Sequence, residues 1–158
     1  MNERRNLPSP HPACVVRAPL PRHYGRVADL ATQLGYPATS DEVRARIEQM
    51  RDPENYLVSV AELSDGKVAG WLGAYVFRTV ELDKCVEISG LVVDSEIRSL
   101  GIGRLLLEAA EEWARQVGCR NITVRSNVKR RRAHRFYVIN GYVWVKTQKV
   151  FRKSIRTR

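Results

Sequence analysis

Between Cys85 and Gly118 the chain passes from an apolar strand through a glycine-punctuated loop into a helix, and this succession constrains the fold more than any other feature. Residues 85–93 (CVEISGLVV) form the strand, with Gly90 marking a bulge or a close backbone approach. Arg98-Ser-Leu-Gly101-Ile-Gly103-Arg104 follows. Ile102, Leu105, Leu106, Ala109, Ala110, Trp113, Ala114 and Val117 then recur at helical spacing until Gly118 stops the run. Glycines between strand and helix let the chain turn tightly and remove side chains that would keep a ligand from the backbone. The N–H groups at the start of the helix suit a pyrophosphate, and Arg98 and Arg104 can add charge-assisted bonds. The R-x-x-G-x-G string taken alone is equally consistent with a plain strand-to-helix turn, so its flanks matter.

Those flanks are regular. Val15 and Val16 open a short strand, Arg22–Leu34 carries an amphipathic pattern, and Gly35 with Pro37 ends it. Thr39 and Glu42 have capping-box spacing ahead of a second helix whose face holds Val43, Ile47 and Met50. Tyr56–Leu63 and Val68–Val80 read as strands joined by the turn Ser64–Lys67, and Trp71, Gly73, Tyr75 and Phe77 share one face of the second. With the strand at 85–93 they can form an antiparallel meander. Beyond Gly118 the pattern predicts a strand over 121–126, a helix over 132–140 and a last strand over 142–150. The order β-α-α-β-β-β-α-β-α-β implies an α/β fold: a mixed, mostly antiparallel sheet with helices on both faces. A Rossmann fold is disfavoured, because the glycine loop follows a meander and no early βαβ unit is apparent.

Charge divides the chain. Residues 98–158 hold 16 Lys/Arg and 3 Asp/Glu, a net +13, whereas residues 1–97 carry −3. A basic half can attract phosphates on a nucleotide, a nucleic acid or a membrane. No apolar run is long enough to span a bilayer. The aromatics Phe136, Tyr137, Tyr142, Trp144 and Phe151 lie in core-like patterns, so a nucleic-acid surface is not expected. Cys14, Cys85 and Cys119 are odd in number and far apart, which argues against disulfides or structural zinc and for a cytoplasmic setting. His11, His23 and His134 have no metal-ligand spacing, and no metal is expected. Residues 1–12 read as a flexible N-terminal arm and 13–158 as one domain.

Two segments carry a resemblance. L91-V-V-D-S-E-I-R-S-L-G-I-G-R-L-L-L-E resembles the central motif of the GCN5-related N-acetyltransferase (GNAT) superfamily, and A133-H-R-F-Y-V-I-N-G-Y142 is similar to its A-x-x-F/L-Y-x-x-x-G-F/Y helix. The element order agrees from Cys14 to about Ser154. The resemblance implies acetyl-CoA-dependent transfer of an acetyl group to an amine on a small molecule or a protein, without a covalent enzyme intermediate. It implies a sheet that splays after the strand at 85–93, with the pantetheine arm in the gap against main-chain groups of Leu91, Val92 and Val93. Amides of Ser99, Leu100, Gly101, Ile102, Gly103 and Arg104, helped by Arg98, would hold the pyrophosphate. A backbone amide near Val92 or Val93 is the candidate for polarising the acetyl carbonyl.

By the same resemblance Tyr137 is the expected general acid, against the plainer role of a packed helix tyrosine. Glu87 is the candidate general base. An exposed strand glutamate and one that only binds the amine are equal alternatives, and direct attack by an amine deprotonated through water stays open. Some relatives place a glutamate on the strand equivalent to 121–126, but this chain has Ile122, Thr123 and Arg125 there. Asn127 is a cofactor candidate although it lies six residues before Ala133 rather than three. The extra residues are the basic run Lys129–Arg132, which either approaches the adenosine phosphate or forms a solvated loop. The expected partners are acetyl-CoA and an amine-bearing acceptor, a homodimer being an open alternative, and no membrane. A non-catalytic acetyl-CoA-binding regulatory module on the same fold is the alternative function.

Overall fold

The computed structural model describes residues 13–155, so the arm expected over 1–12, with His11, lies outside the described residues. The chain divides into two compact units, Met1–Arg125 and Ser126–Arg158.

The first unit contains β1 (Cys14–Arg17), α1 (Tyr24–Leu34), α2 (Ser40–Gln49), β2 (Tyr56–Leu63), β3 (Val68–Phe77), β4 (Cys85–Val93), α3 (Ile102–Gln116) and β5 (Ile122–Val124). The five strands lie in sequence order in one sheet. β1 through β4 pair antiparallel, and β5 joins β4 in parallel after the α3 crossover. The expected mixed, mostly antiparallel sheet is therefore present.

Local chemistry sets the element ends. A 3-10 turn over Pro21–His23 precedes α1, because the Leu20 amide donates to His23 Nδ1 at 3.1 Å. Gly35, at φ 97°, closes α1. The Thr39/Glu42 box forms: the Glu42 amide donates to Thr39 Oγ1 at 3.2 Å, and the Thr39 amide donates to Glu42 Oε2 at 2.8 Å. β3 stops at Phe77, not at Val80 as its apolar run suggests. The Leu82 amide donates to Thr79 Oγ1 at 3.1 Å, which turns the chain, and Val80 projects fully into solvent.

Each face of the sheet has its own cover. Val60, Trp71 and Val92 are in register across β2, β3 and β4 and pack with Tyr24, Val27, Leu30 and Val43 of α1 and α2. Gly70, one residue on, faces the other way: a Cβ there would lie 3.3 Å from Leu106 of α3 and 2.6 Å from the Val92 carbonyl. Ile102, Leu106, Ala110, Trp113 and Ala114 are buried along the inner stripe of α3, as the spacing predicts, together with Leu107, which that spacing leaves out, while Leu105, Ala109 and Val117 are only half-buried.

In the second unit α4 spans Arg131–Ile139, and Gly141, at φ 87°, lets the chain leave it. The strand expected over 142–150 does not form. Val143, Trp144, Val145 and Val150 are all exposed, and no strand among the described residues pairs with them. Apolar, β-prone residues make a strand only where a neighbour completes the hydrogen-bond ladder.

Candidate active site

β4 has two halves. Val86, Glu87 and Ile88 pair with Ile122, Thr123 and Val124 of β5 on one side and with β3 on the other. Ser89 is then an extra residue between the Ile88–Ala74 and Gly90–Gly73 pairs, a bulge where Gly90 had suggested one. From there to Val93 the strand keeps its β3 partner, but β5 has ended, and no strand among the described residues pairs with the other edge, which is open in that sense.

Main-chain direction on this open half follows from two bonds. The Asp94 amide donates to Ala69 O at 2.8 Å, toward β3, whereas Val93 O faces away and accepts from Arg98 Nε at 3.2 Å. Antiparallel strands alternate these directions residue by residue. Leu91 and Val93 thus present main-chain groups at the open edge, and Val92 turns its own toward Trp71. Of the three residues expected there, two face the gap.

The open edge runs into the glycine loop. Ser99 at φ 69° and Gly101 at φ 80° are both left-handed, which swings the chain into α3. A serine in that region costs about 1–2 kcal/mol, the kind of strain that gathers at ligand sites. Gly101 is the N-cap of α3 and supplies no capping side chain, and the first turn has no acidic residue. The first amides of this 15-residue helix are therefore left for an external acceptor at the positive end of its dipole. Arg98 is exposed at the rim, while Arg104 pairs along the helix with Glu108 at 2.8 Å.

Asp94 fixes the start of this loop, a role its sequence position did not announce. It is 1% exposed, pairs closely with Arg26, lies 3.6 Å from Lys67, and accepts from Gln33 Nε2 at 3.4 Å and the Glu96 amide at 3.3 Å. Burial pushes its carboxyl up, but the Glu96 amide, Gln33, Arg26 and Lys67 outweigh that and hold it below the ordinary value. Gln33 Oε1 also accepts from the Ser95 amide at 3.1 Å, so α1 holds the loop through two side chains, Arg26 and Gln33.

On the α1 side of the sheet, beside the bulge, β3, β4 and the residue after β5 contribute one polar cluster. Glu87 of β4 is 7% exposed; its Oε1 accepts from the Tyr75 hydroxyl at 3.0 Å and its Oε2 pairs with Arg125 Nε at 3.0 Å. Tyr75 is opposite Glu87 in the β3–β4 register. Burial, and then the Glu87 carboxylate, raise the Tyr75 phenol above its usual value, which keeps it a donor. The Trp71 ring lies against Gly90, where any Cβ would come within 2.8 Å of it. Glu87 is thus neither an exposed strand glutamate nor a carboxylate alone in apolar surroundings. Tyr75 and Arg125 are the residues that sequence reasoning missed. The alternation along β3 had placed Tyr75 on a face with Trp71 and Phe77, but only the register joins that face to Glu87.

In the second unit the Tyr137 ring packs against Phe136 and Tyr142, with centroids 5.3 and 5.5 Å away. Burial pushes its phenol up to about 12, with Arg130 pulling weakly the other way. Asn127 Oδ1 accepts from the Lys129 amide at 2.9 Å and its carbonyl is 3.0 Å from His134 Nε2, so the asparagine side chain shapes its own turn. Lys129, Arg130, Arg131 and Arg132 are exposed, the last two within α4.

Known proteins share this sequence family and this fold. The acetyltransferase (GNAT) family model matches residues 26–142. An aminoalkylphosphonate N-acetyltransferase of Salmonella typhimurium is 36% identical over 115 residues, covering 72% of this chain and 71% of that protein. Aminoglycoside N-acetyltransferase AAC(6')-Iy in complex with CoA superposes with a TM-score of 0.78 at 19% identity, covering 90% of this chain and 95% of that one. Glucosamine-6-phosphate N-acetyltransferase from Arabidopsis thaliana does so with a TM-score of 0.75 at 20% identity, over 90% and 99%. These two share the fold, and their different acceptors show that the fold does not choose one. The chain belongs to the acetyltransferase (GNAT) family and is an N-acetyltransferase. No helix among the described residues is long and apolar enough to cross a membrane.

Proposed function

We propose that the chain transfers an acetyl group from acetyl-CoA directly to the primary amine of a small acceptor, both substrates being bound together. The observation that carries this reading is the open edge of β4 leading into the uncapped N-terminus of α3. The edge matches an extended amide-bearing chain, and the helix end matches a pyrophosphate. Leu91 and Val93 hold the pantetheine arm, and the amides from Ser99 to Arg104 hold the phosphates with help from Arg98. The exposed basic run at 129–132 is the candidate partner of the adenosine phosphate, a solvated loop being the alternative. Acetyl-CoA supplies an activated acyl group and a thiolate leaving group.

Glu87 takes the proton that the acceptor's ammonium must lose before its nitrogen can attack the thioester, and Tyr75 steadies the carboxylate. Tyr137 donates a proton to the sulfur as the C–S bond breaks; a phenol held near 12 keeps that proton throughout the neutral range. The main-chain amide of Val93 is the donor for charge building on the thioester oxygen. Holding amine and thioester together supplies much of the acceleration. The name of the Salmonella relative makes aminoalkylphosphonates the first acceptors to try.

The test is free-thiol release from acetyl-CoA with a panel of amines. Wild type should turn over, and Tyr137→Phe should lose about 10²–10⁴-fold in kcat while binding CoA as wild type does. Because burial raises the phenol's value, acid catalysis should persist as pH rises and fail only well above 10. An alkaline limb centred at pH 8–9 in wild type, or turnover within a few-fold in Tyr137→Phe, would remove Tyr137 from the mechanism. CoA binding without acetylation of any amine would leave a binding module.

A further inference from the structure

Arg125 has a use that acetyl transfer as such does not require. Its only hydrogen-bond or ion-pair partner among the described residues is Glu87, reached through Nε, and its side chain is 67% exposed. A guanidinium pinned at Nε keeps its two terminal nitrogens as a planar fork, the geometry that takes an oxyanion in bidentate fashion. Arg125 directly follows β5, and its ion pair with Glu87 holds it beside the Tyr75–Glu87 pair that register sets on the α1 face of the sheet.

The charges on this face narrow the acceptor. Glu87 is one acidic group, Arg125 is one basic group, and Tyr75 is a phenol kept protonated. An acceptor that is only cationic meets attraction at Glu87 and repulsion at Arg125 from nearly the same place. An acceptor with an amine at one end and an anion at the other satisfies both. Because the guanidinium touches the carboxylate at 3.0 Å, the two groups of such an acceptor must be separated by a short linker.

We propose that Arg125 is the anion anchor of the acceptor site and that the preferred acceptors are small amines bearing a phosphonate, phosphate or carboxylate a few bonds from the nitrogen. This rests on the acetyl-transfer reading of the same face and adds to it the residue that selects the acceptor.

Two measurements separate the proposal from that reading. In the first, kcat/KM is compared for 2-aminoethylphosphonate and for propylamine, which matches it in length without the anion. Wild type should favour the phosphonate by about 10–100-fold, the range of a hydrogen bond to a charged group. Arg125→Ala should collapse this ratio toward one, whatever happens to the two absolute rates when Glu87 loses its partner, and Arg125→Lys should keep part of it. A ratio unchanged in Arg125→Ala, or a wild type indifferent to the phosphonate, overturns the proposal. In the second, calorimetry follows 2-aminoethylphosphonate binding to the CoA-loaded protein. Tight binding by wild type and about 10–100-fold weaker binding by Arg125→Ala would uphold the anchor even if no acetylation were seen, which would sink the catalytic reading alone. Absence of binding by wild type would sink the anchor even if other amines were acetylated.

Discussion

The two halves of β4 offer two different surfaces, and the proposed function uses each as a different kind of site. Beyond the Ser89 bulge the strand offers backbone: an open edge at Leu91 and Val93, then amides at the uncapped start of α3. Before the bulge it is paired on both sides, its main chain is spent, and only side chains remain to do chemistry. Glu87 there is gripped by Tyr75 from one neighbouring strand and Arg125 from the residue after the other. A backbone site suits what every acyl-CoA has in common, an amide-bearing arm and a pyrophosphate. A side-chain site can be rewritten one residue at a time, which suits an acceptor that differs from relative to relative.

If this division is right, substitutions in the two halves should affect different kinetic constants. The largest effect is expected at Glu87. Glu87→Gln keeps an oxygen for Tyr75 and nearly the same shape but cannot take a proton, so kcat should fall about 10²–10⁴-fold while CoA affinity stays near wild type. A raised KM with kcat preserved would show that Glu87 binds the ammonium without acting as base.

A smaller effect is expected from the backbone half. Gly101→Val places a β-branched side chain at φ 80°, where it is strained, and beside amides that must meet phosphate. CoA affinity should weaken by about 10–100-fold, since charge-assisted phosphate contacts are each worth about 1.5–3 kcal/mol. The ratio of rates for two acceptors should not move. A changed acceptor preference with intact CoA binding would erase the distinction between the halves.

The same distinction explains what the sequence made legible. The glycine loop lies within one local window, and the phosphate role proposed for it rests on the spacing of Arg98, Gly101 and Gly103 along the chain. The second site needs Tyr75 and Glu87 joined across β3 and β4, in a register that depends on the bulge at Ser89, and Arg125 brought to them from just beyond β5. Glu87 was visible as a carboxylate on a strand near the loop, but not its partners. Arg125 stood out only as a residue that could not be a base. Alternation of main-chain direction, which excludes Val92 from the gap, likewise needed the Asp94–Ala69 bond to set its phase. The missing strand over 142–150 reflects the converse limit: β-prone composition states what a segment can do, and a partner decides whether it does.

Asp94 sits where the backbone site begins, and it gives the smallest effect and the subtlest test. Its buried carboxylate holds Arg26 and Gln33 of α1, Lys67 of the β2–β3 turn and the Glu96 amide, so it fixes the angle at which the chain leaves β4. Asp94→Asn is nearly isosteric but leaves Arg26 and Lys67 facing a neutral amide. The variant should lose about 1.5–3 kcal/mol of stability, the cost of one hydrogen bond to a charged group, and CoA should bind only a few-fold more weakly, because the loop is tilted and its amides are intact. The pH dependence has a definite sign. A carboxyl held below its unfolded value stabilises the fold above that value, about 3.9, and the contribution is lost as pH falls through the lower folded value. Wild type should therefore lose stability on acidification below about pH 4, and the difference between wild type and Asp94→Asn should shrink over the same interval. Thermal unfolding from pH 7 down to pH 3 measures it. Parallel curves for the two proteins would mean that Asp94 is not charged in the folded state, and the loop would then be held by hydrogen bonds alone.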